Sequence, residues 1–123
     1  MSGPPVPAGW PAQVRPPGAP GWERSAVGWL LDLCPSDYRG YAVVTRQPVV
    51  LAWLAGHHLE GQLQATRRAL ATARAELSGS VPPPALRETL EVLEEELARL
   101  VAAQRAVGLV AQALSGVRFV PRL

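Results

Sequence analysis

The chain of 123 residues has no lysine, no asparagine, no isoleucine and one cysteine, Cys34. A single cysteine excludes an internal disulfide framework. Without lysine, all 12 basic side chains are arginine, against 10 acidic ones, for a net charge of +2. That balance lacks the dense basic patch of a nucleic-acid or membrane-surface binder. Long apolar runs are missing too. The longest, Val49 to Gly56, falls far short of the roughly 20 residues a membrane span requires. Prolines and glycines interrupt the N-terminus, which has no basic-then-apolar secretory layout. These absences predict a soluble cytoplasmic protein with no membrane association. Alanine, arginine, leucine, valine, proline and glycine abound instead, which follows a GC-rich codon bias more than any folding need.

Residues 1–21 hold seven prolines and four glycines, a composition that predicts a disordered tail with polyproline II bias. From Trp22 to Cys34, Trp22, Ala26, Trp29, Leu30 and Leu33 share one face at helical spacing. A short amphipathic helix is expected over 22–34, ended by Pro35. Residues 35–47 read as a connector, with a turn at Ser36–Tyr41 and an Ala-Val-Val-Thr stretch whose propensity is extended.

The rest of the chain carries the strongest signal. Val49, Ala52, Gly56, Leu59, Leu63, Thr66, Leu70, Ala73 and Leu77 alternate in spacings of three and four, as do Leu86, Leu90, Leu93, Leu97, Leu100, Gln104, Val107, Ala111 and Leu114. Between them lies Ser78-Gly79-Ser80-Val81-Pro82-Pro83-Pro84. This pattern predicts helices over 48–78 and 84–115, a turn at 79–83 and a short C-terminal tail over 116–123. The fold class is therefore all-α: a long, coiled-coil-like antiparallel hairpin with the short helix packed at its open end. Folding about residue 81 brings Arg74 level with Glu88, and Arg67 and Arg68 level with Glu94 and Glu95. Opposite charges meet across the seam, so the arm near the turn reads as satisfied in both apolar contact and charge. The apolar surplus around Val49–Leu54 and Val107–Leu114 predicts a compact base at the open end.

Candidate chemistry is thin. His57 and Glu60 share a helical face, but two ligands without a third make a weak metal site, and His57 and His58 read as polar flanks of the seam. Cys34, between Leu33 and Pro35, has no neighbouring base in sequence and reads as a small buried hydrophobe. Glu88, Glu91 and Glu94–Glu96 read as a solvated charged face. No catalytic, cofactor or metal residue is assigned, and the chain is not expected to be an enzyme.

The interaction candidates are Trp10, Trp22, Trp29, Trp53, Gln104, Val110 and Phe119. Trp22, Trp29 and Trp53 are expected in the base, with Val110 and Phe119 at the same end. Trp10, isolated in the tail, reads either as an anchor for a partner groove or as an unused tail residue. Gln104 interrupts the leucine seam opposite either Thr66–Arg68 or Leu59–Gly61. It reads either as a residue that specifies register or oligomeric state or, with Gly56 and Gly61 narrowing the first helix, as a site where another chain packs closely. Residues 49–115 carry six arginines and seven glutamates, whereas the remaining segments carry six arginines and three acids. That mild positive bias at the base lacks a recognition-helix pattern or aromatic interleaving.

The stretch WERSAVGWLLDLCPSDYRGY, with Gln47-Pro48-Val49-Val50-Leu51, resembles uncharacterised small helical proteins of high-GC actinobacteria, and the resemblance implies no activity. Hairpin size is also similar to that of secreted WXG-type proteins, but no Trp-x-Gly occurs in the chain. The functional expectation is a non-catalytic interaction, scaffold or adaptor protein that binds a protein partner or itself. A regulatory protein touching nucleic acid through the arginines of the base and tail is the alternative.

Overall fold

A computed structural model describes residues 5–120, so residues 1–4 and 121–123 of the expected tails, Arg122 included, lie outside the described residues. All regular structure within them is helical. Helix α1 spans Trp22–Leu33, a 3-10 turn spans Ser36–Gly40, and helix α2 spans Ala42–Arg46. The two long helices follow, α3 over Pro48–Leu77 and α4 over Pro83–Leu114.

Prolines open both long helices: Pro48 begins α3, and Pro83 and Pro84 begin α4. At those positions the missing N–H has no intrahelical role to lose. The exits differ. At the end of α4, Gly116 turns left-handed at φ 94, its N–H donating to the Ala113 carbonyl while Val117 N–H donates to Gln112. That pair of bonds is a Schellman closure. Gly79, just past the end of α3, is not among the residues with positive φ. There the N–H groups of Ser80 and Val81 both turn back to the Leu77 carbonyl, and the three prolines then bar the helix from continuing.

Helices α3 and α4 pack heavily on one another as an antiparallel pair. Gln104 reaches Glu60 across the seam, and Gly56 lies against Val107. The register is thus close to that expected from charge, with Gln104 facing the Leu59–Gly61 stretch. The charges themselves do not close. Among the described residues the ion pairs are Arg39–Asp32 and Arg99–Glu96, neither of them across the hairpin. Arg67, Arg68, Arg74, Glu88, Glu94 and Glu95 all stand exposed, where a solvated pair gains too little to hold two long side chains together. Nor is the arm's seam saturated, because Leu70, Leu77, Leu86, Leu90 and Leu93 are only half-buried. The expectation of a self-satisfied arm is corrected on both counts.

The core lies at the open end. Leu51, Ala55, Leu59 and Leu63 of α3 meet Leu100, Val107 and Val110 of α4, and Ala26, Leu30 and Leu31 of α1 cover them. The connector also contributes. It is helical where an extended run was favoured, because α2 turns Val44 into the core at 2% exposure. Burial of one valine outweighs the strand preference of Ala-Val-Val-Thr.

The largest departure concerns the tail. Residues 7–22 form a chain of turns instead of a disordered segment. The N–H groups of Trp10, Val14, Ala19 and Trp22 donate to the carbonyls of Pro7, Pro11, Pro16 and Ala19. Gly9, Gly18 and Gly21 hold the positive φ values that three of these turns need at their third position. In Pro16-Pro17-Gly18-Ala19 and Ala19-Pro20-Gly21-Trp22, a proline precedes that glycine, the pairing a type II turn prefers. The composition taken for disorder is turn punctuation. It folds Val14 into the core at 3% exposure, with the Trp10 indole N–H donating to the Val14 carbonyl at 2.9 Å.

Candidate interaction face

One side of the hairpin base is covered, and the other is bare. On the covered side, α1 and the tail lie over Leu51, Ala55, Ala106 and Val110, and a side-chain atom at Gly9 would meet Arg105 and Leu109 of α4. On the bare side, α3 presents Trp53, Gly56, His57 and Glu60 at spacings of three, one and three. Helix α4 presents Gln104, Val107, Gly108 and Ala111 at the same spacings. Between the two rows runs a groove of about 400 Å³. Its walls are low because Gly56, Gly108 and Ala111 have little or no side chain, and a Cβ at Gly108 would meet nothing within 4 Å.

Trp53 forms the rim. It is 63% exposed and packs edge-on against His57, with ring centroids 4.5 Å apart. This corrects the expectation that it fills the base. Leaving an indole in water forgoes the large gain that burying it would bring, so an exposed tryptophan beside an apolar groove is an informative surface feature. Val49, one turn earlier on the same side of α3, is 51% exposed.

The far end of the groove is polar and ordered. The Gln104 amide donates to Glu60 Oε2 at 2.6 Å, and Gln64 donates to Glu60 Oε1 at 2.9 Å. These two bonds, Gln64's first, together with the Arg67 charge, hold the Glu60 carboxyl below its ordinary range. Gln104 therefore ties the two long helices together beside the groove.

The other candidates are dispersed. Trp22 and Trp29 are half-buried against the core. Trp10, expected to stand alone, rests on the core and meets Phe119 edge-on at 5.8 Å, so both serve to hold the termini onto the base. Val110 is fully buried and cannot meet a partner while the chain is folded. His58 turns away from His57 toward Tyr38, their rings 6.5 Å apart. Among the described residues, no three His, Cys, Asp or Glu side chains gather as metal ligands. Cys34 is half-buried, and burial pushes its thiol upward, away from the reactive thiolate.

Gly108 and Val101 lay outside the sequence reading, though a signal for them existed. Leu90, Glu94, Leu97, Val101, Gln104, Gly108 and Ala111 also alternate by four and three, forming a second stripe beside the seam. Val101 is 47% exposed on it. The same surplus makes α4 long and apolar enough, by length and composition, to cross a membrane: an 18-residue window has mean hydropathy 1.2, with only 28% of it buried. Comparison with protein-family models, curated proteins and solved structures found no match, so the reading of this face rests on its own geometry.

Proposed function

We propose that the protein is a non-catalytic interaction protein whose contact surface is the bare side of the α3–α4 hairpin. The observation that carries this reading is Trp53, exposed on the rim of a glycine- and alanine-walled groove. Rigid aromatic anchors next to small-residue pockets are where binding energy concentrates at interfaces. The groove lies on two packed helices, so little order has to be gained on binding. Its floor supplies apolar contact, and the Glu60–Gln104 pair supplies a fixed polar edge for orientation.

Photocrosslinking tests this reading. A benzophenone side chain placed at position 53 should give a covalent adduct in the native cell, whereas the same group at exposed Asp37 should not. If position 53 yields no adduct, or no more than position 37, the bare face is not the contact surface.

A further inference from the structure

The bare side of the hairpin carries both a projection and the hollow that would receive it. We infer that its occupant is a second copy of this chain, stacked face to face about a two-fold axis parallel to the long helices. The inference rests on the interaction reading above and adds the identity and orientation of the partner.

An axis in that direction has a definite consequence. It lays α3 of the second copy over α4 of the first, antiparallel, with both turns at the same end, and it preserves each residue's level along the bundle. Within one chain Gly56 is level with Val107, and Glu60 with Gln104. One helical turn closer to the open end, Trp53 is accordingly level with the stretch just beyond Gly108, next to Ala111. The second copy's Trp53 therefore lands on the part of α4 where side chains are smallest and where Gly108 faces open space. Symmetry repeats the contact, so one patch supplies two knobs and two holes, as an isologous interface requires.

Charge agrees with this arrangement. Along the same side of α3, two further turns past Glu60, stands Arg67. At the matching level of α4, seven residues before Gln104, the second stripe carries Leu97, with Glu94 one turn nearer the hairpin turn. Among the described residues neither Arg67 nor Glu94 forms an ion pair. The two-fold places the second copy's Arg67 above Leu97, one helical turn from Glu94, again twice. Size agrees as well. Two helices of about 30 residues present a face roughly 45 Å long and about 20 Å wide. That is about 900 Å² per copy, within the range of stable dimers. It also gives the half-buried arm leucines a covering layer, completing an antiparallel four-helix bundle.

The test is light scattering on the full chain over a concentration series. The mass should approach twice 13.1 kDa at high concentration and fall toward that value on dilution. Gly108→Leu blocks the hollow, and since a Cβ there meets nothing within 4 Å it should leave the helical circular dichroism unchanged. It should weaken association by at least about tenfold, and Trp53→Ala should do likewise. Orientation is read from disulfides in a Cys34→Ser background. A mixture of Trp53→Cys and Gly108→Cys chains should form the mixed disulfide in preference to either homodimer.

A monomer at every concentration up to about 0.2 mM, a dimer indifferent to Gly108→Leu, or preferred linkage of Trp53→Cys chains to each other would each overturn the inference. A monomer that still crosslinks through position 53 to a different protein keeps the interaction reading and removes only the second copy. No self-association together with no crosslink removes both.

Discussion

Docking of the N-terminal segment can be measured through one side chain. Val14 is 3% exposed and packs in the same core as Leu30, Val44 and Val110. Val14→Ala removes two methyl groups, worth about 1.6 kcal/mol at ~0.8 kcal/mol per buried carbon. The cavity left behind adds to this unless the turns of residues 7–22 close over it. The backbone bonds and the Trp10 indole bond to the Val14 carbonyl do not depend on the valine side chain, so the substitution isolates apolar burial. In a domain of this size about 1.6 kcal/mol lowers the midpoint of thermal unfolding by roughly 6–12 °C. Circular dichroism at 222 nm, with urea unfolding as a second measure, reads the change. Gln13→Ala, one residue away and exposed, is the control and should stay within about 0.5 kcal/mol of the parent. If Val14→Ala behaves like Gln13→Ala, the segment is not docked in solution.

Three further outcomes follow from local geometry. Gly116→Ala forces a Cβ into the left-handed conformation that closes α4 and should cost about 1–2 kcal/mol in urea unfolding; a neutral result would show that the closure does not form. Cys34 should react with a maleimide or iodoacetamide well below the rate of an unfolded control at the same pH, since burial raises its thiol; equal rates would place it in solvent. The Glu60 carboxyl is held down by Gln64 and Gln104, so its bonds add stability above the ordinary value of 4.5, and that stability disappears as pH falls through the lowered folded value. The melting difference between the parent and Gln104→Ala should therefore be present at neutral pH and shrink in acid. A difference that does not change with pH would remove Glu60 as the partner.

Much of the fold was legible because it rests on long-period signals. The three-and-four alternation of Leu59, Leu63, Leu70 and their counterparts Leu93, Leu97 and Leu100 defines two helices and a seam, and the prolines at 48 and 82–84 place the starts to within about a residue. Short segments were not legible in the same way. Residues 42–46 form a helix because Val44 finds the core, a tertiary reason that local propensity does not contain. The tail misled for a different cause. Proline and glycine are enriched both in disorder and in consecutive tight turns, and the difference lies in order: Pro17-Gly18 and Pro20-Gly21 place each residue where a type II turn needs it.

The candidate face shows a more general difficulty with amphipathic patterns. Assigning Leu90, Leu97, Gln104 and Ala111 to the intramolecular seam leaves Val101 and Gly108 without a role, so they read as surface residues. In the structure those four side chains sit at the edge between two stripes; on the second stripe Gly108 lies in the groove beside Trp53, while Glu94 and Val101 lie beside Arg105 of α4 and Gly9 of the N-terminal segment. A hairpin that packed only on itself would need one apolar stripe per helix. Helix α4 has two, and only 28% of its apolar window is buried. Trp53 on α3 faces the same opening as Gln104, Gly108 and Ala111 of that stripe. Exposure of an indole, glycines that leave room beside it, and a helix more apolar than its intramolecular contacts require are the features on which the proposed contact surface rests.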